Sequence, residues 1–187
     1  MSKAEENRYS TFDLFRDKWA LVTGGDIEHF NSCTVGWGSL GTLWTGAAGN
    51  GSMVTVYIHP DRYTCGFMRS GDTFTVSFYP EEYRKALSVM GRISGRDTDK
   101  VKASGLTPFA AGGGVSYEEA ELTIVCRKLY QGQFEKEGLD PSVIDYYINN
   151  PKAYPVDENG EWQPHWIFVG QVTDIIDKRE EPYPGLF

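Results

Sequence analysis

Residues 59–100, HPDRYTCGFMRSGDTFTVSFYPEEYRKALSVMGRISGRDTDK, alternate short β runs with short, well-punctuated helices. That rhythm leaves no room for long helices, and it puts hydroxyls and cations at element boundaries. Two loci stand out. Arg62-Tyr63-Thr64 follows the strand-like MVTVYIH (53–59) at the start of a helix, and Ser94-Gly95-Arg96-Asp97, with Lys100 close behind, precedes another. A helix start offers unpaired N–H groups and the positive end of the dipole, so a hydroxyl and a cation there suit a phosphate. Each locus alone reads more readily as a cap with surface charges. Flanking one aromatic strand, FTVSFY, the two together point to a planar ligand that carries phosphate.

Turn and strand signals order the rest. The segment TFDLF after a polar start reads as a short docking piece. Trp19 to Thr23 reads as a strand closed by a Gly24-Gly25-Asp26 turn, and Asn31 to Trp37 as a second strand. Residues 38–51 are rich in glycine and read as a long loop around Leu43-Trp44. Residues 53–59 and 73–79 are β-branched or aromatic strands. Helices are expected from Pro60 to Arg69, from Pro80, from Asp97 to Ser104, and from Pro141 to Asn149 with Asp140 as cap. Ala110 to Gly114 reads as a glycine-rich loop, Glu119 to Gln133 as a long strand and Trp166 to Ile176 as the last one. Regular strand–helix–strand units and a GxGxxG fingerprint are missing. The pattern predicts a closed or partly closed antiparallel barrel with helices over its ends, formed by a single domain spanning 1–187.

Charge and cysteine usage narrow the function. A formal net charge of −8 argues against a broad nucleic-acid surface, while leaving room for a locally positive pocket. No apolar run reaches the roughly 20 residues of a membrane span, and the polar N-terminus predicts a cytoplasmic location. Cys33, Cys65 and Cys126 are odd in number and widely spaced, so no disulfide framework follows; Cys33 and Cys126 read as buried strand residues. The histidines His29, His59 and His165 show no local metal spacing, and no metal is expected.

Several ordered blocks make the chain resemble the flavin reductase-like family of FMN-binding split barrels, whose members include flavoredoxin-type proteins. They are ALVTGGDIEHFNSCTVGWG, HPDRYTCGF, FTVSFYPEEYRKAL, SGRDTDK, GLTP, EAELTIVCRKLY and HWIFVGQV, which together cover roughly residues 19–177. The resemblance implies a mainly β, antiparallel Greek-key split β-barrel with short peripheral helices, a homodimer, and non-covalent FMN. Two departures stand out. Cys33 occupies a position where methionine is usual, and residues 131–164 carry the extra GQFEKEG and GEWQ.

The resemblance also implies roles. Arg62 and Thr64 would hold the FMN phosphate, a planar guanidinium donating two parallel bonds. Ser94, Gly95 and Lys100 would close over the phosphate or ribityl chain, with glycine letting the backbone approach. Asn31, Ser32, Cys33 and Thr34 would follow the edge of the isoalloxazine ring. Of Ser77 and Phe78 one should face the flavin, with Ser77 the expected one. Trp37 and Trp44 are candidates to shield a ring face, with core packing the alternative for Trp37; Tyr63 reads as packing. His165 is the tentative catalytic side chain at the ring's open side, or else a structural histidine. Such a protein would take hydride from NADH or NADPH and pass electrons to free flavin, another acceptor or a protein partner. The alternatives are an FMN electron carrier without intrinsic nicotinamide activity, and a heme or pyridoxal-phosphate barrel. The many aromatics, five Trp, eleven Tyr and ten Phe, favour burial at a subunit contact, with the Trp44 loop, the connection before His165 and the terminal YPGLF as candidate crossing points.

Overall fold

The computed structural model describes residues 14–179. The terminal YPGLF and the residues before Leu14 lie outside that range. After a π-helical turn at Leu14–Lys18, the chain builds a seven-stranded antiparallel sheet. Its strands are β1 (Ala20–Asp26), β2 (His29–Val35), β3 (Gly38–Thr42), β4 (Ser52–Ile58), β5 (Thr73–Phe78), β8 (Leu122–Gln133) and β9 (Trp166–Asp177). A separate ribbon pairs β6 (Pro108–Ala111) with β7 (Gly114–Tyr117). Helices α1 (Tyr63–Ser70), α2 (Arg84–Arg92), α3 (Lys100–Ser104) and α4 (Pro141–Ile148) are inserted between strands.

The expected barrel does not form. The hydrogen-bonded order is β2-β1-β5-β8-β9-β4-β3, which ends at β2 and β3 without a ladder joining them. The architecture is therefore mixed α and β with two open sheets. The reason lies in what approaches the outer side of β2. Helices α1 and α2 pack against that strand, so side chains of helices and not another strand cover it. Only the two residues Gly36 and Trp37 separate β2 from β3, although these strands stand at opposite ends of the order. The sheet curls until its edges adjoin at that link, then leaves them unpaired.

Alternation on β5 explains how its two faces differ. Phe74, Val76 and Phe78 point into the apolar core with Val22, Val54, Ile124 and Phe168. Thr75 and Ser77 point to the other face, which the β6–β7 ribbon covers: Thr75 donates its hydroxyl to the Val115 carbonyl, and Ser77 meets Ser116 at 3.2 Å and Thr123 at 3.1 Å.

Glycine misled the sequence reading in three places. Gly24 and Gly25 belong to β1 and the turn follows at Ile27-Glu28. Gly24 permits close contact, since a Cβ there would stand 3.0 Å from the Met68 backbone nitrogen of α1. Residues 38–42 form β3, an edge strand made by pairing with β4, and Gly112-Gly113 form the tight turn of the ribbon at positive φ. Helix α3 begins at Lys100, with Asp99 accepting from the Lys102 N–H, so Ser94 to Thr98 form the approach loop and not a first turn. Gly105 ends it in the left-handed conformation, as expected. Asp140 caps α4 through the Ser142 N–H, also as expected.

Candidate functional site

Two cavities lie along β2 and meet at Cys33 and Arg62. The first, about 280 Å³, is cationic. Arg62, Arg92, Arg96 and Lys100 line it against only two carboxylates, Asp61 and Asp97. In a chain of net charge −8 such a concentration is local and built by topology. Arg62 directly precedes α1 and makes no side-chain cap; one guanidinium nitrogen donates to the Gly91 carbonyl at 3.1 Å, which ties α1 to the end of α2. Arg96 lies over the Tyr63 ring at 4.9 Å and donates to the Asp61 carbonyl.

Lys100 is the unusual member. Only 4% exposed, its ammonium has the Met90 carbonyl at 3.5 Å as hydrogen-bond partner, and among the described residues it makes no ion pair with a carboxylate. Burial pushes its pKa down, while Cys33 opposes that shift and Arg62 adds to it. A buried ammonium without a counter-ion is costly, and an anion in this cavity relieves the cost.

The loop over the cavity is held close. A Cβ on Gly95 would fall 2.4 Å from Asn31 Oδ1, so only glycine lets residues 94–96 lie against β2. Asn31 donates to the Thr64 hydroxyl at 2.8 Å, both side chains being buried, and the Thr64 hydroxyl in turn bonds toward the Cys33 thiol. Ser94 Oγ accepts from the Arg96 N–H at 3.2 Å at the cavity wall.

The second cavity, about 180 Å³, runs along Cys33 to Trp37 and is walled by Tyr57, His59, Tyr154 and His165. Trp37 lies 4.5 Å from the His165 ring, centroid to centroid, and His165 lies 5.3 Å from His59. Hydrogen bonds hold both rings. The His165 backbone N–H donates to the Tyr147 oxygen, and the same hydroxyl lies 2.5 Å from His165 Nδ1. His59 donates from Nε2 to the Gln163 carbonyl and accepts from the Asp61 N–H at Nδ1. Burial first, then His59 and Arg62, holds His165 down at about 3. It is a neutral N–H donor throughout the physiological range.

Most of the residues singled out in the sequence come together here. Arg62, Tyr63, Thr64, Ser94, Lys100 and Cys33 line the cationic cavity, with Gly95 and Asn31 packed behind them; Thr34 and His165 line the second cavity. Four do not belong. Ser77 faces the ribbon and Phe78 the core, 5.5 Å from Phe15 edge-on. Ser32 points away from the cleft, bonded to Thr23 at 2.7 Å and to the Tyr117 hydroxyl at 2.6 Å. Trp44 stands exposed in the β3–β4 turn at φ 53° and lines neither cavity. The sequence reading named Arg96 within its second locus without giving it a separate role, and it missed Arg92, whose last-turn position looks like an ordinary surface charge. It also missed Tyr147 and Tyr154, from the 131–164 segment, whose aromatic content was the available signal.

Among the described residues no group of three or more His, Cys, Asp or Glu is placed to hold a metal, and no helix is long and apolar enough to cross a membrane.

The depressed histidines make stability depend on pH. A histidine whose folded pKa lies below its unfolded value of 6.5 contributes stability that is present above 6.5 and lost as pH falls toward the folded value. Urea unfolding at steps from pH 7 to 4.5 should show falling stability, and His165→Gln should flatten that slope. Parallel slopes for the two proteins would refute the assignment of a buried neutral His165.

Known proteins can now be set beside this geometry. A family model described as the flavin reductase like domain matches residues 15–187. Among solved structures, nitrilotriacetate monooxygenase component B from Bacillus cereus superposes with a TM-score of 0.65 at 13% identity, covering 99% of this chain and 81% of that one. An FMN-binding protein from Thermus thermophilus with bound 1-cyclohex-2-enone gives 0.61 at 21% identity, with 86% and 70% covered. Flavoredoxin from Methanosarcina acetivorans gives 0.61 at 18%, with 86% and 68% covered. No curated protein matches. With residues 15–187 matched by the family model, the chain belongs to the flavin reductase like domain family, and it shares its fold with these structures.

Proposed function

We propose that the cleft along β2 binds FMN, with its phosphate in the cationic cavity, and that the protein is an FMN-dependent oxidoreductase drawing hydride from NADH or NADPH. The buried ammonium of Lys100, without a carboxylate partner among the described residues, carries this reading. Family membership supports the flavin, and the residues present fit it: a cation set for phosphate, a glycine approach at Gly95, and an edge strand whose outer backbone groups are not engaged by another strand. When bound, the flavin supplies the redox chemistry, accepting a hydride equivalent and releasing electrons to an acceptor.

The protein's part is positional. Arg62 and Lys100 neutralise the phosphate, and Thr64 lines the same cavity with its hydroxyl engaged by Asn31 and Cys33. Along β2, the backbone N–H groups that alternate away from the β1 ladder would oppose negative charge that develops on a ring lying there. His165 stays neutral and so adds no charge at the ring end, and Tyr147 holds its imidazole in place.

One observation favours the alternative, an electron carrier reduced by a partner protein. Tyr154 and Tyr147 pack within 5.4 and 5.6 Å of the His165 ring and narrow the ring end against a bulky nicotinamide. Anaerobic mixing of the FMN-loaded protein with each nicotinamide decides. The reductase reading predicts loss of the oxidised-flavin absorbance within seconds to minutes with one donor; persistence of the yellow form with both selects the carrier.

A homodimer completes the proposal. Trp44 and Leu43 at the β3–β4 turn are each 43% exposed, apolar surface that a second copy would cover. Sedimentation equilibrium at micromolar concentration should give twice 21.0 kDa; a monomer that retains FMN fully would reject it.

A further inference from the structure

The 131–164 segment does more than narrow the cleft. With Trp37 and Tyr57 it encloses a third cavity, about 620 Å³, within the range of small-molecule sites. Its walls are flat and apolar: Trp37, Tyr57, Phe134, Leu139, Val143 and Tyr147. Tyr57 and Phe134 stack at 5.7 Å with an interplanar angle of 11°, presenting parallel ring surfaces. Trp37 (42% exposed), Val143 and Tyr146 leave apolar surface open to it. Among the described residues Arg16 is the single charged side chain on its lining, and that guanidinium is engaged by Asp17 at 2.9 Å. Gly36, Trp37 and Tyr57 also line the His165 end of the cleft, so the two spaces are neighbours across the Trp37 indole.

We propose that this cavity is a binding site for an uncharged, planar aromatic small molecule, held beside the ring end of the cleft. The chemistry of the walls selects the class. Stacked aromatic faces reward a flat ring, and no unpaired cation among the lining residues rewards a carboxylate or phosphate. Ser39, also on the lining, brings a hydroxyl that suits a single polar substituent such as a phenol. The site's existence is independent of FMN; only its placement next to a redox centre rests on the function proposed above. Through α4 and the strand end at Phe134, the segment that distinguishes this chain's sequence would then serve as its specificity element.

The test uses the full chain without added flavin and 2-naphthol as probe, followed by calorimetry and by tryptophan fluorescence. Saturable binding of one naphthol per chain is expected. Val143→Trp, which fills the cavity from a partly exposed helix position, should weaken it at least tenfold, whereas Lys100→Met should leave it unchanged. Should Val143→Trp fail to fold, nuclear Overhauser contacts between naphthol and the Tyr57 or Phe134 ring protons in the unaltered protein replace it. Absence of saturable binding by the full chain, equal binding by Val143→Trp, or no contact with those rings overturns the proposal. So does a naphthol affinity that collapses as the protein self-associates, which would make a second copy the occupant. FMN binding measured on the same samples reports separately on the cationic cavity, so failure of one claim is distinguishable from failure of the other.

Discussion

The connection between β2 and β3 is two residues long, and the strands it joins are the two ends of a seven-stranded order. Three Cα–Cα steps reach no more than about 11 Å. The sheet must therefore curl through seven strands until its edges come that close at Gly36-Trp37. A right-handed twist accumulates such curvature naturally. Closure by a ladder would satisfy the edges, yet β2 instead meets α1, α2 and the Ser94–Lys100 loop. The unclosed seam is where the cleft lies, so the feature that defeats the barrel also creates the site.

Electrostatics then divides the seam into two ends. At one end topology gathers Arg62, Arg92, Arg96 and Lys100, from a helix start, a helix end and the loop between α2 and α3. Desolvation makes Lys100 the least satisfied of them, and an anion the natural complement. At the other end burial keeps the two imidazoles neutral, with Tyr147 holding the His165 ring and the Gln163 carbonyl fixing the His59 tautomer. A charged end beside a neutral aromatic one matches a ligand with a phosphate tail and a flat ring. Desolvation at both ends favours the same assignment.

Much of this was legible in the sequence because local rules decide it. The β-branched run at 53–59, the Asp140 cap and the Gly105 terminus each have a local cause, and each appears where expected. The pairing of the Arg62 and Lys100 loci also followed from helix boundaries. What failed was set by distant partners. Residues 38–42 are extended only because β4 pairs with them, and β2 and β3 stay unjoined because helices reach β2 first. Ser77 and Phe78 alternate as a strand requires, but both sides of β5 are covered, one by the core and one by a ribbon whose glycines read as a loop. Tyr147 and Tyr154 reach His165 from a segment that has no local signature of a site.

The central claim is that the cationic cavity holds the phosphate of FMN, and the most direct measurement compares two ligands that differ only in that group. Calorimetric titration of the flavin-free protein with FMN and with riboflavin should give FMN the tighter binding by at least tenfold, since charge-assisted bonds contribute about 1.5–3 kcal/mol each. Equal affinities for the two would contradict the account, because Arg62 and Lys100 would then face something other than a phosphate.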